Sequence, residues 1–262
     1  MAEQRRLLIS PERLTTASNS IALNPGELHY LQRVLRLKPG GGFTICDGCG
    51  GTYLASLGNA GSANLLEHLP AIQAATPKIN LLFGLFRRDL DLMLRMATEL
   101  GVDQLQPLQA EYSLLEPGEQ RIDRWKTILK EATEQSERCW LPLLEQPKLA
   151  VDGLASPAAA GVCRWIGVTR EAGVCSLQEE LQSHAAVAAQ QWQLACGPEG
   201  GWSPAELQIA VNAGWKAITL SSTVLRCSTA AICALALMQH QRLQLNGYKS
   251  TANLPGHRFE IS

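Results

Sequence analysis

The stretch that most constrains this chain is Gly197-Pro198-Glu199-Gly200-Gly201-Trp202-Ser203-Pro204-Ala205-Glu206. Before it, Trp192-Gln193-Leu194-Ala195-Cys196 is apolar and bounded by turn residues, the pattern of a short buried strand. After it, Ser203 is placed to cap a helix, Pro204 suits the first helical position, and Glu206 completes a capping box. A strand therefore ends, a glycine-rich loop turns, and a helix begins with its free amides facing the loop. Glycines let a ligand approach the backbone, and helix-start amides favour polar or anionic groups. The loop has neither the spacing nor the Lys of a phosphate-binding P-loop, and it is not G-x-G-x-x-G. It predicts a small-molecule cradle; glycines serving turn geometry alone are the other reading.

Around this cradle the chain alternates strands and helices. Strands are expected at Ile79–Gly84, Gln104–Leu108, Trp165–Thr169, Trp192–Cys196 and Lys216–Leu220. Helices are expected at Asp89–Leu100, Arg121–Cys139, Leu177–Ala189 and Thr229–Leu243. Such alternation means a largely parallel sheet with helices on both faces, and ligands there bind beyond the carboxyl ends of the strands. The cradle lies at one such end, and Leu220–Arg226 at another. The last helix is apolar almost all round over Thr229–Leu237, which requires burial on several sides, in the core or against a second subunit.

Residues 1–70 have a different texture, a small β-rich unit with strands near Arg5–Ile9, Phe43–Cys46 and Thr52–Leu57. Asp47-Gly48 marks a hairpin-like turn, and Leu28, Leu31 and Leu35 form the apolar face of a short helix over 25–36. Arg5, Arg6, Arg33, Arg36 and Lys38 form a basic cluster, which is either a solvated face or a contact for RNA phosphates. Residues 71–77 form a linker, 78–245 the second domain and 246–262 a polar tail.

At 262 residues, with 46% hydrophobic and 18% charged residues, the chain can bury real cores and is not a disordered type. Its net charge of −1 gives no global attraction to nucleic acid, so such binding must be local. No stretch reaches the length of a membrane span and the first twenty residues lack a signal core, so a cytoplasmic location is expected. Eight cysteines include one C-x-x-C, Cys46 to Cys49, with no second pair or nearby His to complete a zinc site. The expectation is reduced core thiols and no metal.

Several pieces, taken together in order, resemble the RsmE family of ribosomal RNA methyltransferases. They are His29–Lys38 and Asp47-Gly48 in the first domain, then Thr98–Val102, Arg124–Ile128, Glu131–Arg138, the cradle, and Val224-Leu225-Arg226 with Thr229-Ala230. The resemblance covers about Arg5 to Arg242. It implies an α/β fold, a SPOUT-type knotted parallel-sheet methyltransferase domain preceded by a small PUA-like β-barrel. It further implies transfer of a methyl group from S-adenosylmethionine to N3 of a uridine in 16S ribosomal RNA of the small ribosomal subunit, by a homodimer.

Carried onto this chain, the resemblance gives the cofactor Val168, Thr169, Gly197, Pro198, Glu199, Gly200, Gly201, Leu220 and Leu225, with glycines where a Cβ would strike the ligand. Trp202 is either a lid or a core aromatic. Arg226 is the candidate catalytic group, offering guanidinium donors to the uracil oxygens as N3 loses its proton; a structural Arg is the alternative. Arg5, Arg33, Arg36 and Lys38 are candidates for RNA. So are Glu131, Gln135 and Arg138, whose spacing on the long helix gives them one shared face. No His falls in these loops, so a His base is not supported. Where the family has Arg and Glu in its last loop, this chain has Thr223 and Ser228; Phe86 and Met96 stand where Lys is usual. An inactive RNA- or cofactor-binding protein is therefore the rival reading.

Overall fold

The computed structural model describes residues 6–15, 19–59, 61–116 and 118–247. The described residues divide into two compact units; 6–74 and 133–141 form the first, and 75–132 with 142–247 form the second.

In the first unit, strands β1 (Arg6–Leu8), β2 (Ser20–Ala22), β3 (Gly42–Cys46), β4 (Thr52–Leu57) and β5 (Ser62–Leu69) form one sheet in the order β1-β3-β4-β5-β2. β1 runs parallel to β3 and the other pairs are antiparallel. The short helix α1 (Pro11–Thr15) precedes β2, and α2 (Pro25–His29) starts at Asn24, which forms a capping box with Glu27. A π-helical turn, Tyr30–Val34, continues α2 and buries Leu31. Leu7, Ile9, Leu14, Leu31, Phe43, Ile45 and Leu57 form the core of this unit. Each such side chain, fully buried, contributes roughly 1.5–3 kcal/mol.

The second unit holds a seven-stranded sheet. Its members are β6 (Lys78–Gly84), β7 (Gln104–Gln109), β8 (Leu143–Leu144), β9 (Lys148–Leu149), β10 (Val162–Gly167), β11 (Gln191–Cys196) and β12 (Lys216–Ile218). Every pairing is parallel, in the order β12-β10-β11-β6-β7-β8, with β9 also on β7. The chain begins inside the sheet at β6 and builds outward to β8, then crosses back to place β11 against the free side of β6. The direction of construction therefore reverses between β6 and β11, and such a reversal opens a crevice at the strands' carboxyl ends.

Strand alternation supplies two apolar faces. Ile79, Leu81, Phe83, Trp165 and Leu194 turn toward α3 (Leu90–Glu99), α6 (Leu177–Leu181), α7 (His184–Ala188) and α9 (Cys227–Asn246). Leu82, Ile166 and Ala195 turn the other way, toward α5 (Ala150–Ala155) and α8 (Pro204–Asn212).

Two helices differ from expectation. The predicted 177–189 helix is two helices, because Ser183 caps a fresh start by accepting from the amide of Ala186. α4 (Glu119–Gln135) ends short of Cys139: Glu137 takes φ +56°, its amide donates to Glu134 O and that of Arg138 donates to Thr133 O. That is a left-handed helix stop of the Schellman type, made without glycine. Glu131, Gln135 and Arg138 consequently do not share one helix face. α9 keeps Ala231, Ala234, Leu235, Met238 and Arg242 buried within its own chain. Ala234 thus faces the core, and the exposed residues of this helix are Thr229, Ala236 and His240, with Gln244, Leu245 and Asn246 at its end.

Candidate active site

Four loops meet at the crevice, each following a parallel strand. They are Leu85–Asp89 after β6, Val168–Glu171 after β10, Gly197–Trp202 after β11 and Thr219–Arg226 after β12. They enclose a cavity of about 990 Å³, at the upper end for small-molecule sites. All nine residues expected to hold a cofactor line it, from Val168 and Thr169 through the cradle to Leu220 and Leu225, and so does Arg226.

The cradle folds as its sequence directs. Ser203 accepts from the amide of Glu206, and the Glu206 carboxylate accepts from the Ser203 amide at 2.8 Å. The amide of Gly201 donates to Pro198 O at 2.9 Å, closing the turn. Gly201 takes φ +76° with open space around it, whereas Gly200 answers to the chain's own packing. A Cβ on Gly200 would stand 2.6 Å from Cβ of Tyr112. The close approach the sequence assigned to a ligand is there an approach of Tyr112. Gly84, the last residue of β6, serves the same purpose: a Cβ there would lie 2.4 Å from Cδ of Pro198. Sequence reading treated Gly84 only as a strand end, although a glycine closing an apolar strand was the available signal.

Trp202 is part of the cavity wall and packs with Leu82, Ile166 and Ala195, so it is a floor and not a lid. Its indole Nε1 is buried and has no hydrogen-bond partner. A buried donor left without a partner costs free energy.

Arg226 occupies the N-cap position of α9, with backbone angles that end a strand rather than start a helix. Its side chain is 69% exposed, and Nη1 lies 4.0 Å from the carboxylate of Asp89. Asp89 itself stands at the N-cap position of α3 with φ +65° and no side-chain capping bond. A pair this exposed contributes little to stability, so the guanidinium is available to a ligand. Arg87, Arg88 and Arg170 also line the cavity, against the acids Asp89, Glu171 and Glu199. The backbone amide of Arg87 donates to Glu199, and its guanidinium donates to Leu114 O at 2.7 Å.

Two thiols stand in the wall, Cys196 and Cys227. Burial pushes Cys196 up to about 12 and Cys227 up to about 11. Neither is a thiolate at neutral pH, so neither supplies a nucleophile or base there. No histidine lines the cavity. Among the described residues no three His, Cys, Asp or Glu side chains converge as a metal site would require.

The RNA candidates fall in several places. Arg33, Arg36 and Lys38 are exposed together at and after the π-helical turn of the first unit. Arg5 lies outside the described residues. Glu131 and Gln135 are exposed on α4, while Arg138 lies beyond its end and is half-buried.

The family model for an RNA methyltransferase domain matches residues 74–239, and that for an RNA methyltransferase PUA domain matches 23–65. A small RNA-methyltransferase PUA unit followed by an α/β RNA methyltransferase domain is the class of protein defined. Ribosomal RNA small subunit methyltransferase E of Synechocystis sp. is 36% identical over 238 residues, covering 88% of this chain and 76% of that protein. Its namesake in Rickettsia conorii is 30% identical over 215 residues, covering 80% and 84%. The crystal structure of the Neisseria gonorrhoeae protein of the same name, bound to S-adenosyl methionine, superposes with a TM-score of 0.79 at 26% identity, covering 91% of this chain and 98% of that one. The chain belongs to the ribosomal RNA small subunit methyltransferase E family.

Proposed function

We propose that this protein transfers a methyl group from S-adenosylmethionine to N3 of a uridine in 16S ribosomal RNA, acting on the small ribosomal subunit in the cytoplasm. The observation that carries this reading is the convergence of all nine cofactor candidates and Arg226 on one cavity at the sheet's switch point, in a chain of this family.

The residues present fit the cofactor. The cavity is large enough for a nucleoside joined to an amino acid. Gly197–Gly201 would hold the ligand by main-chain groups, with Val168, Leu220 and Leu225 as apolar walls. When bound, S-adenosylmethionine supplies an electrophilic methyl carbon on a sulfonium. The protein's part is alignment and management of the uracil's charge. Uridine N3 becomes nucleophilic as its proton leaves, and charge moves to the flanking oxygens. Arg226 offers its guanidinium donors to those oxygens, and Asp89 orients it. Arg33, Arg36 and Lys38 hold RNA phosphates.

The working form is a homodimer that pairs through the outer stripe of α9, marked by Thr229, Ala236 and His240. The stretch Thr229–Leu237, apolar almost all round, leaves Thr229 and Ala236 exposed in one chain, which supports this.

The test is nucleoside mass spectrometry of 16S ribosomal RNA from cells lacking the gene. One N3-methyluridine should disappear and return with the wild-type gene, but not with Arg226→Ala. An unchanged modification profile overturns the reading. Ribosomal subunit binding without methyl incorporation would instead support the rival suggested by Thr223 and Ser228.

A further inference from the structure

The C-x-x-C of the sequence has no place in the cavity, yet its first cysteine sits in a reactive cluster of the first unit. Cys46 ends β3, and Cys139 lies in the segment following α4. Their sulfurs are 3.8 Å apart across a sequence separation of 93, and both side chains are buried. Main-chain bonds fix the two strands of chain on either side. The Gly50 amide donates to Cys139 O and the Leu141 amide to Gly48 O, each at 3.0 Å. Arg6, two residues before the Leu8 that pairs with Cys46, donates from Nη1 to Cys139 Sγ at 3.0 Å and to the carbonyl of Glu137.

This setting makes the two thiols unequal. The hydrogen bond from Cys46 lowers the Cys139 thiol to about 7 against the effect of burial, and the charge of Arg6 adds to the lowering. Cys46 moves upward, through that same hydrogen bond and then through burial. The guanidinium bonded to Cys139 Sγ favours the thiolate there, which marks Cys139 as the attacking thiol and leaves Cys46 to resolve. Cys49, though exposed, is pushed upward by burial and by Asp47, and it competes poorly.

We propose that Cys46 and Cys139 form a reversible, peroxide-oxidised disulfide site that ties the segment 133–141 to strand β3. The Cys139 thiolate attacks one oxygen of hydrogen peroxide. An S–O bond forms, the O–O bond breaks, and the departing hydroxide leaves as water with the proton that Cys139 released. Cys46 then attacks the sulfenic sulfur. The S–S bond forms, the S–O bond breaks, and the proton of Cys46 leaves with the hydroxide as a second water. Two thiols are oxidised to one disulfide and one peroxide is reduced to two waters. The sulfurs must close from 3.8 Å to a bond of ~2.05 Å, and peroxide is small enough to enter on a local opening of the segment.

The experiment treats full-length protein with hydrogen peroxide, blocks remaining thiols and maps peptides by mass spectrometry without reductant. A Cys46–Cys139 linked peptide lacking two hydrogens should form and revert with dithiothreitol. Cys49→Ser should retain it, and Cys46→Ser or Cys139→Ser should abolish it. Amide exchange across residues 133–141 should slow about tenfold on oxidation and recover on reduction. The wild-type map decides the matter even if a variant folds poorly. Thiols left unreacted, a Cys46–Cys49 or intermolecular link, or a sulfinic Cys139 beside free Cys46 would each overturn the proposal.

Discussion

Gly84, at the end of β6, and Pro198, in the cradle after β11, are in such close approach that a Cβ on the glycine would fall 2.4 Å from the proline ring and 2.6 Å from its nitrogen. The two strands are paired along their whole shared length, ending with Phe83 opposite Cys196. The cradle is thus seated directly on the last residue of its neighbour, and the shape of the cavity depends on a residue with no side chain. Gly84→Ala should displace the cradle at a cost of about 1–3 kcal/mol. Calorimetry should show S-adenosylmethionine binding weakened roughly tenfold or more, with the far-ultraviolet dichroism of the sheet retained. Unchanged affinity would mean that the cradle does not contact the cofactor.

Arg226 is exposed and only loosely paired with Asp89, so its removal should not unfold the chain. Arg226→Ala should lower kcat by roughly 10²-fold, the loss typical of a donor aimed at developing charge. Cofactor affinity and thermal midpoint should stay near wild type. A parallel fall in cofactor affinity would move Arg226 from the reaction to cofactor binding.

Arg33, Arg36 and Lys38 are exposed cations without a fold to hold up. Replacing all three with Gln should weaken RNA binding and flatten its dependence on salt, by a slope of about 2–3 if each contacts one phosphate. Cofactor affinity, measured separately, should not move. An unaltered salt slope makes these residues a solvated face.

Arg242 illustrates the opposite case. It is buried on α9, pairs with Asp103 at 2.6 Å and donates to Gly101 O at 2.6 Å and Pro77 O at 3.3 Å. Arg242→Met leaves those acceptors behind and should cost about 3 kcal/mol, read as a lower midpoint in denaturant with little change in slope. The contrast with Arg226 tests whether burial, and not charge alone, separates structural from functional arginines here.

The second unit was readable because its strands and caps carry local patterns. Ile79–Phe83 and Trp192–Cys196 are apolar runs, and Ser203 with Glu206 marks the start of α8 by chemistry that acts over three residues. What escaped depends on partners far away in sequence. β8 and β9 are two-residue edge strands with no periodicity to detect. β5 was missed because Glu67 and His68 interrupt its alternation; the stacking of His68 on Tyr53 across the β4–β5 pair is visible only once the strands are paired. The end of α4 was set too late because residues 133–141 fold into the first unit, where Arg6 and Cys46 meet Glu137 and Cys139 over sequence separations of 131 and 93. In the site, every residue the motif singles out for the cofactor lines the cavity, but nothing in the local sequence shows Tyr112 approaching Gly200.

The most direct measurement is transfer of labelled methyl from S-adenosylmethionine to small ribosomal subunits purified from cells lacking this gene, followed by nuclease mapping of the product. One methyl per 16S ribosomal RNA should be incorporated, recovered as N3-methyluridine, and lost with Arg226→Ala. Label appearing on another base or another RNA, or no transfer by a protein that binds the cofactor, would contradict the proposed function.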